Sequence, residues 1–468
     1  MKNEYYTNTT TRSKSHKRFK KRLFILSLLL LIICADVYLL VAKPWAKKEI
    51  IEEPKREIII PLNYKISNAM SCFDETEKFD KTVTKFLSKW EIEGATFAIM
   101  KDGQLLYAKG YGYADKQNKV ECDVKHLFRV ASVSKLITGA TIMKLKEEGK
   151  ITLEDCVFGE NGILNDSIFM DIRDKRVKEI TIEHLLRHET GFSRRVGDPM
   201  FTPDVVANTL GVAQPLTMDN FVEYAAESIL YCTPGSATQY SNLGYLVLTK
   251  VIEEITGENY ESYVQKNIFH PLGCYDAHIG RNVSSQKYPN EVLYYEVHDA
   301  EPIESYDGTK RELMRSNGGN DITGLYGAGA WIISSVELLK FVSAIDNNPS
   351  DIKLLSPEST EYMTRYYEKK NPIGWAGITE EDQWVRSGSF SGTSALIKHE
   401  NDGYTWTLVT NTSSWKGSAF SSIINKEITQ AIRDVEDSWP ERDLFVSQPE
   451  VALDTMAILR INNNLSVI

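Results

Sequence analysis

Residues 23–42 read LFILSLLLLIICADVYLLVA, twenty residues whose only charge is Asp36. A helix of that length spans about 30 Å, the thickness of a bilayer core. This run divides the chain into two parts of opposite charge. Residues 1–22 hold eight Lys and Arg against one acid, Glu4, a charge of +7. The whole chain is −10, so residues 23–468 carry −17. A flank rich in Lys and Arg belongs on the cytoplasmic side, which sends the rest of the chain out of the cytoplasm. Trp45, just past the run, suits the interfacial belt. A cleaved signal peptide would carry a shorter apolar region, about 7–15 residues, before a small-residue cleavage site. A lipoprotein signal ending at Cys34 would need a small residue where bulky Ile33 stands. The expectation is an uncleaved single-pass anchor in the cell membrane, with residues 1–22 cytoplasmic and the body extracytoplasmic.

The acidic body repels phosphate backbones, so nucleic acid is not expected as a partner. Six cysteines occur, and the five outside the apolar run leave one over and show no Cys-x-x-Cys spacing. They are expected to be small buried hydrophobes rather than a disulfide framework. His184 and His188 stand four apart, but Leu185 occupies the place where a metalloprotease helix needs Glu, so both are expected to be structural. No glycine-rich phosphate loop is present. No cofactor and no metal are expected.

Residues 43–73 mix charge, proline and short apolar runs without sustained periodicity and are expected to form a stalk. Helical spacing then begins at Phe79, Val83 and Phe86, with Asp74 as cap. GATFAIMKDGQLLYAKGYGYAD follows, two strands around an Asp102-Gly103 turn. The middle of the chain is rich in helical patterns. Residues 383–414 alternate as three short strands, and 419–439 pattern as a closing helix. Strands at both ends with helices between predict an α/β domain over 74–438: one sheet built from distant segments, flanked by helices, with an inserted all-helical lobe. A cleft between the lobes is the expected place for a site. Residues 439–468 show no firm pattern.

Ser-x-x-Lys occurs four times, at Ser132, Ser284, Ser350 and Ser413, so the spacing alone says little. Only Ser132 opens a long helical run, with Leu136, Ala140 and Met143 on one stripe. Residues three apart share a helix face, which lets the Lys135 amine approach the Ser132 hydroxyl. A serine hydroxyl becomes a useful nucleophile when a neighbouring base takes its proton, and burial favours the neutral lysine that can do so. Farther along, Tyr240-Ser241-Asn242 precedes another helical run and brings a phenol and a carboxamide together. Tyr-x-Asn also occurs at Tyr6 and Tyr288. Later still, Arg386-Ser387-Gly388-Ser389 lies on a strand, where Gly388 permits close backbone approach.

Three motifs in this order resemble the penicillin-recognising serine hydrolases, the branch of class C β-lactamases, D-Ala-D-Ala carboxypeptidases and related esterases. The resemblance extends through ITIEHLLRHETGF, PGSATQYSNLGYLVLTKVIEEITGENY, IFHPLGC and GAGAWIISSVELLKFVSAI and covers roughly residues 75–435. It implies a β-lactamase-like fold and an acyl-serine hydrolase. Ser132 would attack the substrate carbonyl, with Lys135 and Tyr240 sharing the proton. The backbone N–H groups of Ser132 and Ser389 would hold the oxyanion, Asn242 the substrate amide and Arg386 its carboxylate, beside Ser387 and Gly388. Arg386 departs from the family, which usually has Lys or His there. An arginine grips a carboxylate but gives up no proton at working pH. The implied substrates are small molecules or peptides: D-Ala-D-Ala-type cell-wall peptides or β-lactams. An esterase on other substrates and a non-catalytic muropeptide or β-lactam sensor are the alternatives.

Overall fold

The computed structural model describes residues 11–42, 59–349, 352–364, 371–379 and 383–446. It separates into two units, residues 1–57 and 58–468. In the first, Thr11–Ala42 is one helix, α1. Its stretch Phe19–Val41 is long and apolar enough to cross a membrane, and its leucines, isoleucines and Phe24 are exposed. At 1.5 Å per residue, 23 residues reach about 35 Å. Most of the predicted stalk, residues 43–58, lies outside the described residues, as do residues 1–10 and 447–468.

In the second unit a seven-stranded antiparallel sheet is assembled from the two ends of the chain. The N-terminal strands are β1 (Gly94–Lys101), β2 (Gln104–Asp115) and β3 (Val120–Glu121). The C-terminal ones are β4 (Gly377–Ile378), β5 (Trp384–Phe390), β6 (Thr393–His399) and β7 (Tyr404–Thr410). Their order is β3-β2-β1-β7-β6-β5-β4, with β1 joined to β7 from Ala95↔Thr410 to Lys101↔Tyr404. The β1–β2 turn is the Asp102-Gly103 pair, both with positive φ, the two-residue turn whose twist matches a hairpin.

Alternation along β1 feeds two cores. Phe97 and Ile99 face one side, where α2 (Glu77–Lys89) presents Phe79, Val83 and Phe86, joined by Ile424, Ile428 and Ile432 near the chain's end. Ala98 and Met100 face the other side and the larger core. Thr76 rather than the expected Asp74 precedes α2, because Asp74 starts a short 3-10 turn of its own. The larger core encloses α3 (Ser134–Glu147), in which eleven of fourteen residues are buried. The single apolar stripe read from its sequence is therefore one side of a helix wrapped on all sides.

The domain is longer than predicted at both ends. Leu62, Tyr64 and Ile66, placed in the stalk by sequence, are buried, and Asn68 bonds the backbone of Gly110 and Cys122. At the other end Trp439, Leu444 and Phe445 are buried, and the Leu444 amide donates to the Leu105 carbonyl beside β2. Neither segment is periodic, since each lies irregularly along a surface already formed. All six cysteines are free, with Cys122 and Cys274 buried.

Candidate active site

The place of Ser132 is set by a short strand and a strained turn. Phe128–Arg129 pairs with Trp331–Ile333, and the Val130 amide donates to the Trp331 carbonyl. Ala131 then takes φ +47°, and a 3-10 turn, Ala131–Val133, carries Ser132 into α3. Ser132 thus sits just ahead of the α-helix proper. From the first turn of α3, Lys135 reaches back toward it. The second motif arrives on α5, if α4 denotes Ile182–Leu186 and α5 Asn242–Thr256. Ser241 caps α5 by accepting the Gly244 amide, which leaves Tyr240 just outside the helix and Asn242 at its first position. The third motif is on β5. A Cβ on Gly388 would fall 2.2 Å from the Val130 carbonyl oxygen and 2.9 Å from the Ser132 amide nitrogen, so this position needs glycine for the strand to lie against the turn.

These three segments converge. Ser132 Oγ and the Tyr240 hydroxyl are 2.7 Å apart, and Lys135 Nζ lies 3.4 Å from Ser132 Oγ. Lys135 Nζ also donates to Asn242 Oδ1 at 2.6 Å and to the Ala328 carbonyl. Those two oxygens only accept, so the remaining direction on Nζ, a lone pair in the amine or a hydrogen in the ammonium, is the one facing Ser132. Burial pushes the Lys135 pKa down; the Tyr240 charge opposes this and the Arg386 charge adds to it. Burial alone would raise the Tyr240 phenol. The charges of Lys135 and Arg386 and hydrogen bonds with Lys135 and Ser132 outweigh it, and the phenol is lowered to about 8.

Ser132, Tyr240, Asn242, Arg386, Ser387 and Ser389 all line one cleft of 250 Å3, walled also by Phe201 and Phe390. Gly388 is on its strand but serves the packing just described. Arg386 is only 3 % exposed, and its Nε donates to the carbonyl of Ser132 itself at 2.7 Å. Its Nη2 is buried without a hydrogen-bond partner among the described residues. The Asn242 carboxamide, predicted to face substrate, is engaged at both ends: Oδ1 with Lys135 and Nδ2 with Asp198 Oδ2 at 2.8 Å, which leaves one Nδ2 hydrogen.

Three contributors escaped sequence reasoning. Asp198 is buried behind Asn242. The Ala328 carbonyl is main chain and carries no side-chain signal. His188, expected as a structural residue at a helix end, does accept the Ser241 amide at Nδ1, but its ring also lies 4.6 Å from that of Tyr240. Burial, then the charges of Lys135 and Arg386, push it well below the usual histidine range, so it stays neutral. His184 turns elsewhere, closing a capping box with Thr181 at the start of α4. Among the described residues seven non-glycines have positive φ, and three of them border this site: Ala131 before the nucleophile, His188 behind the phenol and Tyr326 two residues before Ala328. Strain of this kind persists where surrounding structure enforces it, and it collects at reactive sites.

Comparison with known proteins speaks to the family and the fold. A family model described as Beta-lactamase matches residues 79–427. PbpX of Bacillus subtilis, which bears a penicillin-binding-protein name, is 24% identical over 81% of this chain and 87% of its own. Protein flp of Staphylococcus aureus strain N315 is 26% identical over 329 residues, 69% of this chain; the match spans 60% of flp's own length. Among solved structures, D-amino acid amidase from Ochrobactrum anthropi SV3 complexed with L-phenylalanine amide superposes with TM-score 0.60 at 18% identity, over 78% of this chain and all of that one. FmtA from Staphylococcus aureus superposes with TM-score 0.56 at 19% identity, over 82% and 94%. At these identities the structural likeness speaks for the fold.

Proposed function

Because the chain belongs to the β-lactamase family of serine hydrolases, we propose that it is a membrane-anchored, extracytoplasmic enzyme that acylates Ser132 with D-Ala-D-Ala-type peptides or β-lactams. The observation that carries this reading is the 2.7 Å contact between Ser132 Oγ and the Tyr240 hydroxyl, with Lys135 Nζ beside both. Tyr240, lowered to about 8, takes the Ser132 proton as Oγ bonds to the substrate carbonyl carbon. The negative charge that develops on the carbonyl oxygen is met by the N–H groups of Ser132 and Ser389. Donors of this kind are worth about 3 kcal/mol each. Tyr240 then returns the proton to the leaving nitrogen as the C–N bond breaks, and water repeats the sequence to release the acid.

Substrate recognition falls to the remaining Asn242 Nδ2 hydrogen for the amide and to the buried Arg386 charge for a carboxylate. The aromatic walls, Phe201 and Phe390, suit an apolar side chain. The length and apolar surface of α1 support the anchor, and the basic residues before residue 23 support a cytoplasmic N-terminus.

Labelling with a fluorophosphonate or a fluorescent penicillin tests the chemistry. Wild type is expected to be labelled and Ser132→Ala not; labelling that persists in the variant sinks the reading. A panel of D-Ala-D-Ala peptides, a chromogenic cephalosporin and short-chain nitrophenyl esters then identifies the substrate class.

A further inference from the structure

Asp198 is a buried carboxylate that the reaction as written does not use. It is 8 % exposed and faces the site from the segment between α4 and α5. No ion pair to it is found among the described residues. Oδ2 accepts from Asn242 Nδ2 at 2.8 Å, and Oδ1 accepts the Met200 amide at 3.1 Å. The second bond caps the turn Pro199–Phe201, whose Phe201 walls the catalytic cleft.

A carboxamide beside an ammonium has a wrong orientation available, with NH2 turned toward Lys135. The ammonium, a donor only, disfavours that rotation, and an acceptor on the far side, Asp198, disfavours it further. The cluster around Tyr240 holds two cations, Lys135 from α3 and Arg386 from β5, with neutral His188 behind the phenol and Tyr245 from α5 beside it. The Asp198 charge favours the charged form of Lys135.

We propose that Asp198 is a positioning residue of this site: its carboxylate locks Asn242 with Oδ1 toward Lys135 and Nδ2 toward substrate, and its charge balances Lys135 and Arg386 beside Tyr240. The proposal rests on the acyl-serine reading above and adds a residue to it.

The test uses the full chain and two variants, Asp198→Asn and Asp198→Ala. Ultraviolet difference titration, with Tyr240→Phe as the blank in each background, reports the Tyr240 phenol without turnover. The pH dependence of fluorophosphonate labelling reports the reaction. Asp198→Asn keeps an acceptor and loses the charge, so the Tyr240 titration is expected to move down by about half a pH unit, with the labelling plateau within about fivefold of wild type. Asp198→Ala loses both, so its plateau is expected to fall about tenfold or more. The proposal is overturned if neither variant moves the titration, or if Asp198→Ala matches Asp198→Asn in plateau. If Asp198→Ala does not fold, Asp198→Asn decides through its titration. An unlabelled wild type would sink the acyl-serine reading instead, and the titration would still decide the role of Asp198.

Discussion

Two of the buried polar clusters in the second unit are built on opposite plans. Around Ser132 the charges are mostly positive, Lys135 and Arg386, and the cluster opens to a cleft with one Asn242 hydrogen uncommitted among the described residues. Around Asp276 the ionisable groups are mostly carboxylates and the cluster is sealed. Asp276 Oδ2 accepts from Asn63 and Asn290, its Oδ1 faces His278 Nε2, and Glu337 Oε1 accepts the backbone amides of Tyr275 and Asp276. Both place ionisable groups where water is scarce. The first leaves valences for a substrate and keeps its strain nearby, at Ala131, His188 and Tyr326. The second uses its valences to join residue 63 to segments more than two hundred residues away. Burial of charge alone therefore does not set the two apart; the opening of the first onto a cleft does.

The largest expected effects separate the two clusters by what they lose. Tyr240→Phe removes the hydroxyl 2.7 Å from Ser132 Oγ and should slow acylation by about a hundredfold to ten-thousandfold, read as the labelling rate, with an unchanged melting temperature. Asp276→Ala should do the reverse. It takes one acceptor from each of the buried Asn63 and Asn290 amides, which keep their bonds to the Lys125 carbonyl, at a cost of about 1–3 kcal/mol, which lowers the melting temperature while the labelling rate per folded molecule stays near wild type. Loss of activity in Asp276→Ala without loss of stability would break the contrast.

A smaller effect bears on Arg386. Lysine keeps the charge but cannot reproduce the Nε bond to the Ser132 carbonyl. If that bond fixes the turn, Arg386→Lys should lose about tenfold in kcat equally on substrates with and without a carboxylate. If Arg386 chiefly grips substrate, the loss appears in KM and only for the carboxylate-bearing ones. Steady-state kinetics on a matched acid and amide pair distinguishes the two.

How much of this was legible in the sequence follows from range. The Asp102-Gly103 hairpin and the helix over Phe79, Val83 and Phe86 are local, and both are present as read. The convergence of Ser132, Lys135 and Tyr240 came through from motif order, because each motif sits at an element start that orients it. The all-round burial of α3 did not, since periodicity reports one apolar stripe and a helix enclosed by neighbours has no polar face to give contrast. The packing of residues 62–71 was hidden because two short 3-10 turns leave no sustained period to read. Asp198 was invisible because it acts through Asn242, with no spacing that ties one to the other. Arg386 was visible as a cation; its bond to the nucleophile's own carbonyl was not.

The mildest prediction concerns pH and again sets the clusters apart. Burial first, then the neighbouring Asp276 charge, raise Glu337 to about 8, so in the folded protein it holds a proton that the unfolded chain releases near 4.5. A raised folded pKa contributes stability that is fully present below the unfolded value and lost as pH rises through the folded one. The melting temperature should therefore decline between about pH 4.5 and 8 through this group. Glu337→Gln keeps an acceptor for the Tyr275 and Asp276 amides without titrating, so it should flatten that decline. The proposed catalytic cluster runs the other way: with Tyr240 as the base, labelling should rise toward pH 8 over the range in which the sealed cluster is losing stability. A labelling rate that rises in parallel in wild type and Glu337→Gln, while only wild type loses thermal stability, would show the two titrations to be independent. Parallel shifts in both readouts would mean that the sealed cluster feeds the reactive one.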